Sequence, residues 1–225
     1  MSLIILENVE QRSDEWYAAR LGIPTASSVG KLLTPTLKVA SNDTARGYIA
    51  SLVAERITGT VEPTFTSDDM MRGILHEPLA RDRYAEANDV EVTEVGFMVR
   101  QEDGWTLGAS PDGLVGDDGG VEIKCPRAKG HVLTILNDQV PSVYMAQLQG
   151  SLLVSGRKWW DYVSFCAGLP LYVTRVYPDP AWQEAITEAC RAFETTARQM
   201  VADYDALAPT MPATERVADF DDISL

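Results

Sequence analysis

Trp105-Thr106-Leu107-Gly108-Ala109-Ser110-Pro111-Asp112-Gly113, followed after Gly116-Asp117-Asp118-Gly119-Gly120 by Val121-Glu122-Ile123-Lys124-Cys125, is the stretch on which the fold of this 225-residue chain turns. Trp105 to Ser110 reads as a strand entering a Pro-Asp-Gly turn, and Val121 to Cys125 as a second strand returning beside it, so a hairpin is expected. Side chains alternate across a strand, which puts Glu122 and Lys124 on one face and Val121, Ile123 and Cys125 on the other. The turn then brings Asp112 to the same place as Glu122 and Lys124. Two carboxylates and an ammonium around one point suit phosphodiester hydrolysis: a hard divalent cation takes one or two carboxylates and leaves positions for water and phosphate, while the ammonium offsets charge on the transition state. The hairpin alone is equally consistent with Glu122 and Lys124 as a cross-strand pair on a wet face.

Further residues carry a resemblance. Pro111-Asp112 followed by Glu122-Ile123-Lys124 is similar to the PD-(D/E)xK nuclease signature. The segment Trp16-Tyr-Ala-Ala-Arg20-Leu-Gly-Ile-Pro-Thr-Ala-Ser27, the element Gly73-Ile-Leu-His-Glu77 and the run Tyr144-Met-Ala-Gln147-Leu-Gln149 resemble, in order, the other motifs of the lambda exonuclease-like (YqaJ-type viral recombinase) family. The resemblance spans roughly residues 12 to 165. It implies a Mg2+-dependent (or Mn2+-dependent) 5' to 3' exonuclease acting on double-stranded DNA ends, releasing mononucleotides and leaving 3' overhangs for recombination by strand annealing. It also implies two metal ions, a homotrimer threaded by DNA, and a single-strand annealing protein as partner. Asp112, Glu122 and the Ile123 carbonyl would hold metal, and Lys124 would position water. Glu77 would add a further acid supporting metal or water, and Gln147 a hydrogen bond to water or phosphate. Arg20, Ser27 and Ser110 would grip a terminal 5'-phosphate, a guanidinium fork with two hydroxyls matching phosphate oxygens. Met70 and Met71 would wedge the terminal base pair. On periodicity alone these residues also read as a surface carboxylate, an exposed glutamine, helix caps and packing methionines. The rival readings are a nuclease of the same fold with endonucleolytic action or other polarity, and a DNA-binding or assembly protein without catalysis.

Composition bounds the rest. A 45% hydrophobic, 23% charged chain of this length suits one domain, residues 1–225. No apolar run approaches membrane-spanning length and the N-terminus lacks a signal-peptide pattern, so a cytoplasmic location is expected, with no membrane partner. Cys125, Cys166 and Cys190 are far apart and His76 and His131 share no ligand spacing, which disfavours iron–sulfur and zinc centres. The formal charge of −14 opposes binding to a polyanion. Acids near the ends, including Asp219, Asp221 and Asp222, against Arg72, Arg81, Arg83, Arg100, Arg127, Lys129, His131, Arg157 and Lys158 near the motifs, suggest a basic lining inside an acidic shell. The tail from Ala218 to Leu225 reads as a docking peptide or a free end.

Along the chain, helices are expected over 13–21, 25–33, 43–57, 68–88 with Pro78 inside, 141–153 and 182–204. Strands are expected over 90–100, 159–166 and 171–177 beside the hairpin. That order gives an α/β, restriction-endonuclease-like fold, a mixed central sheet flanked by helices, with parallel pairing where a helical crossover enters.

Overall fold

The computed structural model describes residues 2–61 and 67–215, and the acidic tail lies outside them. Two sheets are built from the described residues. The smaller has β1 (Ser2–Leu6), β3 (Phe97–Glu102) and β4 (Trp105–Ala109) in the order β1-β3-β4, all antiparallel. The larger has β2 (Val92–Thr93), β5 (Gly113–Val115), β6 (Gly119–Lys124), β7 (Trp159–Ser164) and β8 (Tyr172–Val176) in the order β2-β5-β6-β7-β8. Among the described strands the β6/β7 pair alone is parallel, Glu122 lying beside Tyr162 and Lys124 beside Ser164. The connection between them runs through α5 (Ala128–Asn137) and α6 (Met145–Ser155), the helical crossover that parallel neighbours need. The mixed sheet expected from sequence is therefore observed.

The hairpin is not the expected one. Strand 121–125 pairs with β5, not with 105–109, which joins Phe97–Glu102 in the other sheet. The chain leaves one sheet at Ala109 and enters the other at Gly113, so Ser110-Pro111-Asp112 is a passage between sheets. The expected strand 90–100 likewise divides into β2 and β3, passing between sheets at Glu94–Gly96. A proline, which cannot donate to a ladder, and a glycine without a side chain mark the two passages.

Packing explains the layers. On β7 Trp160 and Tyr162 are fully buried on one face, against α6 and the long helix α7 (Pro180–Leu207) with Leu148, Leu152, Ile186 and Phe193. Val163, with Val121 and Ile123 of β6, packs on the other face against Ala80 and Tyr84 of α4 (Asp68–Asn88). Gly120 is required beneath Trp160, since a Cβ there would stand 2.5 Å from the indole. Trp159 and Trp160 point to opposite faces and pack rather than stack on a ligand; Arg175 lies 3.5 Å over the Trp159 ring.

The helices follow local rules. Ser13 caps α1 (Asp14–Arg20) by accepting from Trp16 N–H, and Asp14 and Glu15 sit in the first turn, where acids favour the helix dipole. The helix expected over 25–33 is α2 (Ala26–Val29) continued by a 3-10 turn, Gly30–Leu32. Asn42 caps α3 (Asp43–Thr58), which ends at left-handed Gly59. Helix α4 runs through Pro78 without ending there. Strand β1 and helix α5 were not anticipated: β1 has no alternation, and α5 lacks a capping side chain. Among the described residues no helix is long and apolar enough to cross a membrane.

Candidate active site

The two passages lie side by side, held by the N-terminal segment. Gln11 Nε2 donates to Pro111 O at 3.1 Å and to Val95 O at 3.5 Å. Trp16 Nε1 donates to Ser110 Oγ at 2.9 Å and to Gly96 O at 3.2 Å. Arg81 of α4 donates from Nε to Asp112 O at 2.8 Å and pairs with Glu77 and with Glu94. These links turn the Asp112 side chain toward β6, where its Oδ2 accepts from Ile123 N–H at 2.6 Å.

Glu122 is buried between Lys124 and α6. Its Oε1 accepts from Lys124 Nζ and from Gln147 Nε2, each at 2.6 Å, while its Oε2 is buried with no partner among the described residues. The Lys124 ammonium also lies 5.4 Å from the Tyr144 ring, which stacks on Tyr162. Asp112, Glu122, Lys124 and Gln147 are thus brought together as the sequence suggested, and Glu77 stands beside them, tied to Arg81 at 2.8 Å.

The cluster is short of positive charge. Burial, then the repulsion of Glu122, pushes the Asp112 carboxyl up to about 7 against the pull of Lys124 and Arg81. Burial likewise raises Glu122, opposed mainly by Lys124. Glu77 rises to about 7 through burial and the charge of Asp112, opposed by Arg81, Arg12 and Lys124. Burial works to lower Lys124, but Glu122 and Asp112 outweigh it and hold the ammonium above its ordinary value.

These donors fit a hard divalent cation. A buried carboxylate oxygen without a partner is a costly feature that a cation at Glu122 Oε2 would relieve, and two mutually repelling carboxylates are the oxygen set that Mg2+ accepts with water completing its shell. Among the described residues no three His, Cys, Asp or Glu side chains form a metal-holding group, and Glu77 is engaged by Arg81. Asp112 and Glu122 could hold such a cation, and Glu77 stands close enough to feel the charge of Asp112.

Arg20, Ser27 and Ser110 line a separate small cavity of about 110 Å³ with Trp16, Gln147 and Ser151. Arg20 lies 3.8 Å over the Trp16 ring. Because Ser110 Oγ accepts from the indole, its hydroxyl proton is free to be donated into the cavity. Ser27 Oγ is 3.2 Å from Thr25 Oγ1. Gln147 reaches from this cavity to Glu122, so cavity and carboxylates are neighbours. Met70 and Met71 are half-exposed in the first turn of α4, as are Leu75 and Leu79 further along.

Most of the basic residues near the motifs are engaged within the chain. Arg72 and Arg127 share Asp69, Arg83 pairs with Glu86, Arg100 with Glu102 and Lys158 with Asp118. Arg157 donates to the carbonyls of Gly116 and Gly119, and His131 is fully buried between Ser164 Oγ and Pro170 O. Sequence reasoning placed Arg81 only in the basic cluster, missing its place at the site, and did not give Trp16 a role of its own. The four-residue spacing of Glu77 and Arg81 on a helix was the available signal for the first; nothing local marks Trp16 as bridging residues eighty and more positions away.

A mixed sheet between helices with carboxylates and a lysine at a passage between sheets defines a nuclease-type α/β fold. Residues 15–158 match the YqaJ-like viral recombinase domain, and the chain belongs to that family. An alkaline exonuclease (LHK-Exo) from Laribacter hongkongensis is 36% identical with a TM-score of 0.79, over 88% of this chain and 99% of that one; the structure of LHK-Exo in complex with dAMP matches equally. A phage-related exonuclease from Haemophilus somnus 129PT shares the fold at 12% identity and a TM-score of 0.64, over 80% of this chain and 96% of that one. Comparison with curated proteins gives no match. Family and relatives support a nuclease function in recombination.

Proposed function

We propose that this protein is a Mg2+-dependent exonuclease that degrades double-stranded DNA from its 5' ends and leaves 3' single strands for annealing. The observation that carries the reading is the Glu122 carboxylate, with one oxygen held by Lys124 and Gln147 and the other buried without a partner beside Asp112. Asp112, Glu122 and the Ile123 carbonyl would hold the metal, one ion or two, which when bound polarises the phosphoryl oxygens and lowers the pKa of water. Lys124, fixed as a donor by its carboxylate partners, points an N–H at the attacking water or at the charge building on phosphorus. Glu77, titrating near neutrality, is suited to take the proton of that water. Gln147 holds Glu122 and borders the small cavity, so it sets the spacing between the scissile phosphate and whatever the cavity binds.

The cavity is read as a receptor for the terminal 5'-phosphate. Among the described residues the Arg20 guanidinium has no hydrogen bond or ion pair, although burial pulls its pKa below the ordinary value, and an anion is its natural partner. The 5' to 3' polarity is proposed on this ground: a strand whose 5'-phosphate occupied the cavity would present its first phosphodiester to the carboxylates.

One experiment tests both parts, with matched linear duplexes bearing 5'-phosphate or 5'-hydroxyl ends and closed circular duplex as a third substrate. Wild type is expected to degrade the phosphorylated linear duplex fastest and to spare the circle. Asp112→Asn is expected to abolish digestion, and Arg20→Ala to lose the end preference more than the basal rate. Digestion of the circle at a comparable rate would favour an endonuclease on the same fold, and an inactive wild type the non-catalytic reading.

A further inference from the structure

We propose that Arg81 is a positioning residue that holds the Glu77 carboxylate against the Asp112 turn in the arrangement the reaction uses. This rests on the reading of Asp112, Glu122 and Glu77 as the active site. Arg81 stands one turn beyond Glu77 on α4, and its side chain is only 12% exposed. Its guanidinium serves three segments at once: it donates to Glu77 Oε1 at 2.8 Å and, from Nε, to Asp112 O at 2.8 Å, and it forms an ion pair with the exposed Glu94 carboxylate at 2.6 Å. Glu94 opens one passage between the sheets and Asp112 lies in the other. A guanidinium is planar with donors in fixed directions, so the two hydrogen bonds to Glu77 and Asp112 fix these acceptors relative to one another, which a lysine ammonium does not do.

A purely structural role is already filled by other residues. Gln11 and Trp16 each bridge the two passages without Arg81. What Arg81 adds is the carboxylate of α4. Among the described residues Glu77 takes its side-chain hydrogen bond from Arg81, and the charge of Asp112 repels it. Beside it lies an open cleft of about 530 Å³, bordered by Glu77, Arg81, Glu94 and Pro111, into which a released carboxylate can turn. Loss of the guanidinium therefore frees Glu77 to leave the reacting atoms.

The test is a double-mutant cycle on linear 5'-phosphorylated duplex in Mg2+, with wild type, Arg81→Ala, Glu77→Gln and the double variant, reading kcat, KM and Tm. Arg81→Ala is expected to lower kcat by about tenfold or more while KM changes by less than about threefold. The double variant is expected to be no slower than Glu77→Gln alone, since a residue acting through another has nothing left to position. Multiplied losses in the double variant, or a wild-type kcat in Arg81→Ala, would overturn the proposal. If Arg81→Ala does not fold, Arg81→Lys keeps the charge and loses the fork. Its kcat is expected to fall at least about fivefold, with the Glu77 carboxylate displaced in its crystal structure, and a wild-type kcat or an undisplaced carboxylate overturns the proposal. A wild-type rate for Glu77→Gln is a separate result: it removes Glu77 from the active site, and the reading beneath the proposal fails with it.

Discussion

The carboxyl of Asp112 is asked to do two incompatible things. It accepts the Ile123 N–H, which favours its ionised form, and it sits half-buried beside another carboxylate, which favours the neutral one, and desolvation wins. Asp112 and Glu77 both reach about 7 in the folded protein from ordinary values of 3.8 and 4.5. Raised carboxyl groups bind protons more tightly folded than unfolded, so between about pH 4 and pH 7 the folded state holds more protons and stability falls as pH rises. In chelator, Tm is expected to be lower at pH 8 than at pH 5.5. Added Mg2+ is expected to raise Tm more at pH 8, because it binds the ionised form. Asp112→Asn should be more stable than wild type at pH 8 in chelator, because the neutral amide oxygen still accepts the Ile123 N–H without a charge repelled by Glu122. Thermal denaturation across this range, with and without Mg2+, measures all three. A flat wild-type profile would mean that the buried carboxylates are compensated without metal.

At the scale of elements, two glycines separate what holds the site from what it must leave open. A Cβ on Gly96 would stand 1.9 Å from the carbonyl oxygen of Val9, and backbone cannot swing aside as a side chain can. Gly96 also donates to Leu6 O and accepts from Trp16 Nε1, so it seats the N-terminal segment on the passage between β2 and β3. Gly96→Ala is expected to cost about 1–3 kcal/mol, the range for overpacking, and to lose 5'-phosphate preference as Trp16 draws away from Ser110. Gly73, inside α4 and one turn before Glu77, is the contrast: a Cβ there meets nothing within 4 Å. Gly73→Ala should raise stability by up to about 1 kcal/mol through helix propensity alone. Urea denaturation orders the two variants on opposite sides of wild type. Gly96→Ala with wild-type stability would mean that the N-terminal segment is not seated on this passage.

For the whole molecule the difficulty is charge. At −14, with Arg72, Arg83, Arg100 and Arg127 paired to acids of their own chain, one copy offers a duplex little positive charge against its many acids. The exposed apolar side chains supply a different clue. Leu3, Ile4 and Ile5 lie on β1, an edge strand of its sheet, while Leu136 and Val143 are about three-quarters exposed. Open edges and exposed apolar groups of this kind are commonly covered by another chain. We expect a homotrimer that encloses the duplex, holding it by topology more than by charge. Light scattering should give about three times the 24.7 kDa of one chain, and digestion should persist after excess unlabelled competitor is added. A monomer that still stays on its strand would dismiss the ring and leave the nuclease reading in place.

Local chemistry was legible without a fold. Alternation on β6 put Glu122 and Lys124 on one face, Ser13 and Gly59 marked helix ends, and the helical crossover foretold the parallel strand pair, because side-chain periodicity and capping are properties of a few adjacent residues. Only the tertiary structure decided which strands pair. Strands 105–109 and 121–125 read as one hairpin, yet the chain changes sheets at Ser110-Pro111-Asp112, since β4 and β5 each find a partner elsewhere. It also decided that Arg81 serves the active site rather than the solvent, and that Trp16 and Gln11 close the gap between passages some eighty to one hundred residues away. Hydrogen bonds over such separations depend on how whole elements dock, and docking is set by the shared burial of many side chains, which no short stretch of sequence displays.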